Sequence, residues 1–436
     1  MSILIHNALV VDGSGASPYR GWLLTDGPVI AAMGEGDPAP AVADSASERI
    51  DAAGAMLMPG AIDAHVHFRE PGLTHKATIA SESRAALLGG VTSYIDMPNT
   101  KPATVTCADW QAKMERAEAT SAANYAFMMG ATADNIGELR AADFSLMPAV
   151  KVFMGSSTGG MLLRDDTVLR RVFAEQPGRV VVHAEDQDII DRLTARHRPA
   201  LDPADISWHS RLRPAECCVA ATERALEMAA RYGTRLHVAH LTTAAECSLF
   251  DPAPSPCGKQ YTAEVSPHHL IFTDADYPRL GTRIKMNPAV KTAADRAALR
   301  AALAEGRIDI VATDHAPHTT AEKQGDIFTA MSGAPMVQFS LPLMLELYPA
   351  AEVARRMAAA PAALYGIEGR GQLRPGYFAD LVLVERRAEP HIITDTDVAS
   401  PCGWTPATGL AVNHRVARTI VNGGCGPRPL RFTARG

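Results

Sequence analysis

The stretch Met58-Pro-Gly-Ala-Ile-Asp-Ala-His-Val-His-Phe-Arg-Glu-Pro-Gly72 decides how the rest of the chain is read. Residues two apart on a strand point to one face, so His65 and His67 can aim two imidazoles at a single metal ion where a strand ends. Pro59-Gly60 marks a turn into an apolar run, which reads as a strand opening into a site. Two incidental loop histidines are the alternative, because bare H-x-H pairs are common. The rest of the chain has to decide.

Upstream, residues 1–57 alternate apolar and polar positions with frequent Gly, Pro and Asp, the texture of short strands and hairpins. Downstream, short apolar runs alternate with Ala-rich, charge-spaced segments. A helix is predicted over Thr78–Leu88, stopped by Gly89-Gly90, and others over Pro214–Arg231 and Ala293–Ala304. Strands are predicted at Val91–Met97, Tyr125–Met129, Ala149–Met154, Arg179–His183, Arg235–His240, Gln260–Val265 and Ile308–Thr313. Eight strand–helix alternations over some three hundred residues predict an α/β chain built as a (β/α)8 TIM-type barrel at 58–365. A doubly wound sheet is the runner-up, but no G-x-G-x-x-G follows the first strand. From 366 to 436 the β texture returns, so both termini are expected to share one small β-sandwich domain.

Chemistry-bearing residues recur where the predicted barrel strands end. Lys151 is flanked by Val150, Val152 and Phe153. A buried ammonium is costly, so it is salt-bridged, snorkelling or carboxylated by carbon dioxide. His183 ends one strand and His240 the next; neighbouring His237 has the opposite parity. Asp314 follows an apolar strand and opens a loop holding His315 and His318. Taken singly, each reads as a core histidine or a turn cap. Six such positions on five strands form a two-metal cage of nitrogen and oxygen donors, which suits Zn²⁺, with Mn²⁺, Co²⁺ or Fe²⁺ as substitutes.

With these residues in place the chain resembles the amidohydrolase superfamily and, within it, the dihydroorotase family. The resemblance rests on Asp63-Ala-His-Val-His-Phe-Arg-Glu-Pro-Gly72, Gly89-Gly-Val-Thr-Ser-Tyr-Ile-Asp-Met-Pro-Asn-Thr100, Lys151-Val-Phe-Met-Gly-Ser-Ser-Thr-Gly159, Ala312-Thr-Asp-His-Ala-Pro-His318 and Leu373-Arg-Pro-Gly-Tyr-Phe-Ala-Asp-Leu-Val382. It implies that His65, His67 and Asp314 hold one Zn²⁺, that His183 and His240 hold a second, and that carboxylated Lys151 bridges them. It implies further that Arg69 and Asn99 grip a substrate carboxylate, that Asn287, His318 and Gly333 add substrate contacts, and that Asp314 is the catalytic acid–base. The segment Ser332-Gly-Ala-Pro-Met-Val-Gln338 departs from the family's familiar bacterial pattern.

The implied reaction is the reversible opening of (S)-dihydroorotate to N-carbamoyl-L-aspartate in pyrimidine (UMP) biosynthesis. Hydantoinases, dihydropyrimidinases and allantoinases share the cage and stand as the alternative. A non-catalytic scaffold for a transcarbamoylase is a third reading, disfavoured because all six ligand positions are filled. A homodimer or higher homo-oligomer is expected. The loop Gly155–Gly160, with Ser156, Ser157 and Thr158, reads either as a lid or as an ordinary turn.

Composition narrows the field. Of 436 residues 47% are apolar, and 42 basic against 48 acidic side chains leave no basic stripe for nucleic acid. No run of about 20 uncharged apolar residues suggests a membrane span. Seven scattered cysteines without ligand spacing or an export signal point to reduced thiols in a cytoplasm.

Overall fold

The computed structural model describes residues 2–156 and 160–433. Ser157 and Thr158 of the expected Gly155–Gly160 loop lie outside these residues.

The N-terminal strands are β1 (Ile3–Val10), β2 (Tyr19–Asp26), β3 (Val29–Glu35), β4 (Glu48–Asp51) and β5 (Met56–Pro59). The staves of the barrel follow: β6 (Ala61–Val66), β7 (Val91–Asp96), β8 (Asn124–Phe127), β9 (Met129–Gly130), β10 (Val150–Phe153), β11 (Val180–His183), β12 (Leu236–Val238), β13 (Tyr261–Val265) and β14 (Ile310–Val311). β8 and β9 are two pieces of one stave, interrupted at Met128. β7 pairs with the first piece and β10 with the second, and all these pairings are parallel. Val66 bridges His315 in parallel and the His67 N–H donates to the His315 carbonyl at 2.8 Å, joining the first stave to the last. The fold is a (β/α)8 TIM-type barrel.

Strand alternation sorts the side chains. Ile62, Ala64, Ile95, Ala126, Ala149, Val181, Ala239 and Ile310 form one buried cluster inside the ring. Val150, Val152, Val180, Val182, Leu236, Val238 and Val265 face the surrounding helices. The predicted helices appear at Ile79–Leu88, Ala215–Tyr232 and Ala293–Glu305. Thr78 and Thr292 cap the first and last of them with reciprocal side-chain bonds, and Gly306, at φ +81°, ends the last. Leu430 and Phe432 pack into the inner cluster, and Leu430 N–H bonds the Tyr125 carbonyl at the start of β8, so the C-terminal segment plugs the barrel floor.

Several strands are shorter than the apolar runs suggest. Arg235–His240 contracts to Leu236–Val238, and Ile308–Thr313 to Ile310–Val311. In both cases the backbone leaves the ladder to turn a site residue: His240 adopts φ +37° and Asp314 φ +48°.

The two termini do meet. β15 (Leu381–Ile392) runs antiparallel to β5 and to β16 (Ala411–Ile420), giving the order β16-β15-β5-β1-β2-β3 with β4 on β1. The expected sandwich is thus one connected seven-stranded sheet among the described residues, with register shifts in β1, β2 and β15. Such bulges bend a sheet. The expected boundary between 57 and 58 falls inside β5, because Leu57 and Met58 pair with Leu383 and Val382 of that sheet. No helix among the described residues is long and apolar enough to cross a membrane.

Candidate metal centre and substrate pocket

His65, His67, Arg69, Asn99, Lys151, His183, His240, Asn287, Asp314 and Gly333 line one pocket at the carboxyl ends of the staves, around about 410 Å³ of space. Of the positions expected from sequence, only His318 is outside the lining.

The donor atoms converge in two groups. His67 Nε2 lies 3.0 Å and His65 Nε2 3.4 Å from Asp314 Oδ1. His183 Nδ1 lies 2.9 Å from His240 Nε2. Two ligands at about 2.1 Å from one tetrahedral ion stand roughly 3.4 Å apart, so both spacings suit shared ions. Lys151 Nζ is fully buried without a hydrogen-bond partner among the described residues, as is His240 Nδ1. Burial lowers the Lys151 pKa to about 8, against the opposing pull of Glu264 and Asp314. A buried amine without a partner, lining the same pocket as these donors, has the chemistry a carbamate needs. The residues present fit a binuclear metal group.

Burial also favours the neutral form of His67, His183 and His240, the form that ligates. It takes His67 down to about 4 and lowers His183 and His240, outweighing the nearby carboxylates. Asp314 is buried too, yet His65 and His67 keep its carboxyl well below the usual range.

Three non-glycine pocket residues carry left-handed backbone: Arg69 at φ +68°, His240 and Asp314. Such strain costs about 1–3 kcal/mol per residue and persists only where packing enforces it. For His240 it has a plain use. Strand parity sends His237 and Ala239 inward, and the positive φ returns His240 to the same side. Gly72, which ends the opening motif, is at φ +77°, and a Cβ there would meet the Lys101 carbonyl at 1.6 Å.

A second layer of acceptors was not read from the sequence. Glu264 on β13 accepts from His65 Nδ1 at 2.5 Å and from His237 Nε2 at 3.0 Å, and the far nitrogen of His237 meets Thr262 Oγ1 at 2.9 Å. His67 Nδ1 is 2.7 Å from Asn99 Oδ1. His183 Nε2 lies 3.0 Å from Glu185, whose other partner is Arg213 at 2.5 Å. Each acceptor fixes which imidazole nitrogen faces the centre. Glu264 carried a signal: it is a charge inside the apolar run Tyr-Thr-Ala-Glu-Val, as Lys151 is in its own. Glu185 stands two residues after His183, the same spacing as His65 and His67. Glu185, Cys217 and Cys218 also bring ligand atoms within 4.8 Å of one another, but Glu185 is committed to Arg213 and His183.

The same pocket carries a guanidinium. Arg69 is buried, its Nε donating to the Pro317 carbonyl at 2.9 Å, and burial lowers its pKa to about 10. It forms no ion pair among the described residues. Glu70, the acid next to it, instead accepts from Ile79 N–H at the start of the first helix and pairs with Arg116. His318 sits behind Arg69. Lys76 Nζ reaches His318 Nδ1 at 3.1 Å, and His318 Nε2 lies 3.0 Å from both Arg69 Nη2 and the Ser332 carbonyl. Asn287 Nδ2 donates to the Ser156 carbonyl, leaving Oδ1 buried and without a partner among the described residues. Gly333 lines the pocket, but its N–H goes to the Lys285 carbonyl and its carbonyl accepts from Lys323.

A profile of the Amidohydrolase family matches residues 56–159 and 209–425. The chain belongs to that family. Within it, a dihydroorotase of Halobacterium salinarum is 40% identical over 403 residues, 86% of this chain and 90% of the relative. An allantoinase of Bacillus velezensis is 31% identical over 396 residues, 88% of this chain and 87% of the relative. Among solved structures, the L-hydantoinase of Arthrobacter aurescens superposes with a TM-score of 0.89 at 27% identity, covering 97% of this chain and 95% of its own.

Proposed function

We propose that this chain is a dihydroorotase, interconverting (S)-dihydroorotate and N-carbamoyl-L-aspartate in de novo pyrimidine biosynthesis. The observation that carries the substrate choice is Arg69: a buried guanidinium lining the same pocket as the ligand cluster, with no carboxylate partner among the described residues. Its planar fork matches a ring carboxylate, which the uncharged hydantoin, dihydropyrimidine and allantoin rings lack. The degree of identity to the dihydroorotases favours the same reading.

His65, His67 and Asp314 would hold one metal, His183 and His240 the second, and Lys151 as a carbamate would bridge them, with zinc the ion best suited to the donors. When bound, the metals supply Lewis acidity and a nucleophilic water at neutral pH. Arg69 and Asn99 bind the ring carboxylate, and Asn287 Oδ1 accepts a ring N–H. Asp314, ionised, takes the proton of the attacking water and returns it to the ring nitrogen as the carbon–nitrogen bond breaks. His318 acts through Arg69, and Gly333 shapes the wall. The proposal extends to a cytoplasmic homodimer or higher homo-oligomer, free to associate with a transcarbamoylase.

The test is turnover of L-dihydroorotate by zinc-replete protein, followed by loss of ultraviolet absorbance, with 5,6-dihydrouracil, hydantoin and allantoin in parallel. Preferential opening of dihydroorotate is expected. Activity confined to uncharged rings would favour the hydantoinase or allantoinase alternative; a fully metallated but inert protein would favour the scaffold.

A further inference from the structure

Lys323 is a buried ammonium that neither the sequence reading nor the chemistry above uses. It ends the short helix Thr320–Lys323, which Thr319 caps, and is 4% exposed. Its Nζ donates to three carbonyls: Lys285 at 3.0 Å, Met331 at 2.8 Å and Gly333 at 2.9 Å. Three acceptors match the three donors of an ammonium, which a neutral amine or a thioether cannot reproduce. Trp404 covers it, with the ring centroid 5.3 Å from Nζ, and donates its indole N–H to the His318 carbonyl at 2.7 Å. Lys323 makes no ion pair among the described residues.

The three carbonyls belong to two walls of the pocket. Lys285 lies two residues before Asn287, while Met331 and Gly333 flank Ser332; Asn287, Ser332 and Gly333 all line the pocket. The Gly333 N–H bonds the Lys285 carbonyl at 2.9 Å, so one ammonium and one backbone bond clasp the same two segments. Gly333 sits at φ +136°, where an added Cβ would press on Ala316 and on His318 Nε2, the ring behind Arg69. There is little slack in this corner.

We propose that Lys323 is a positioning residue that sets the distance between the Asn287 wall and the Ser332–Gly333 wall, and thereby the fit of the substrate ring. The inference rests on the dihydroorotase reading for the ring it concerns. A group acting on the bound ring and not on the bond-breaking step changes KM more than kcat.

The experiment compares zinc-replete wild type with Lys323→Met, Lys323→Gln and Lys323→Arg, measuring kcat, KM, metal per chain and thermal midpoint. Lys323→Met is expected to raise KM for L-dihydroorotate by about tenfold or more, as for loss of charged hydrogen bonds. Its kcat should stay within about threefold and its metal content should be unchanged. Lys323→Arg, which keeps the charge and several donors, should recover part of the loss. If Lys323→Met fails to accumulate, Lys323→Gln, with two donors, carries the same comparison. Unchanged KM in a folded neutral variant would overturn the proposal, as would parallel loss of kcat and metal. If wild type does not open dihydroorotate, the functional reading fails first, and the variants are read on whichever ring wild type does open.

Discussion

The two sides of the pocket are built on opposite principles. On the metal side, His65, His67 and His183 each have an acceptor behind them: Glu264 at 2.5 Å, Asn99 at 2.7 Å and Glu185 at 3.0 Å. On the substrate side, Arg69 in the lining and Lys285 and Lys323 behind it rest on backbone carbonyls and have no carboxylate in ion-pair range among the described residues, while Lys76, farther back, pairs with Glu322 at 3.0 Å. The difference is physical. An acceptor behind an imidazole fixes its tautomer and strengthens it as a ligand. A carboxylate behind a substrate-facing cation would cancel the field meant for the substrate; a carbonyl satisfies the donor and leaves the charge in place.

Breaking the metal side at its shared residue should have the largest effect. Asp314→Ala is expected to lower kcat by about 10³-fold or more while much of the metal is retained; kcat measured beside metal per chain decides, and full activity would sink the acid–base role. Breaking the substrate side at Arg69 should be selective. Arg69→Met is expected to cost about 10²-fold in kcat/KM on dihydroorotate and to leave the trace activity on 5,6-dihydrouracil within a few fold. An equal loss on both rings would remove Arg69 from carboxylate recognition.

Glu264→Gln sharpens the metal side, since it keeps the shape and removes the charge behind His65. Metal affinity, read by competition with a chelator, should weaken about 10- to 100-fold; unaltered affinity would make Glu264 a packing residue only. Lys151 comes next. Because burial lowers it to about 8, reconstitution of chelated protein at constant dissolved carbon dioxide should run roughly 25-fold faster at about pH 8.5 than at about pH 6.5. A flat pH profile would argue against carboxylation.

The smallest effect concerns stability, where the two sides predict opposite ends of the pH scale. His67 is held near 4 when folded, chiefly by burial. The unfolded chain therefore binds more protons between about 4 and 6.5, and metal-free protein loses stability as pH falls through that window. Burial lowers Lys285 to about 8. There the unfolded chain binds more protons between about 8 and 10.5, so this lysine adds stability as pH rises. Thermal midpoints of chelator-treated protein, with Lys285→Met as the control, would show both slopes or neither.

Much of the site was legible because ligands must sit at strand ends and must be chemically odd there. His65 and His67 share a face by spacing alone, Lys151 and Asp314 interrupt apolar runs, and all of them converge in the structure. His240 was legible only as a strand-end histidine. Parity favours its neighbour His237, and a positive φ, invisible in sequence, reverses the outcome. Glu185, Arg213 and Lys323 were silent for another reason: a charged side chain in a loop or helix has a solvated surface as its ordinary explanation, and Arg213 and Lys323 meet their partners far along the chain.

The sequence by itself determined the alternation of strands and helices, the pairing of the termini and the six candidate ligands, since periodicity and chemical type are local properties. Only the tertiary structure decided where β5 belongs, which acceptor stands behind each imidazole, and that Arg69, Lys285 and Lys323 are left uncancelled. Those depend on which segments meet across the ring, and residues as far apart as His65 and Glu264, or Lys323 and Trp404, become neighbours only when the barrel closes.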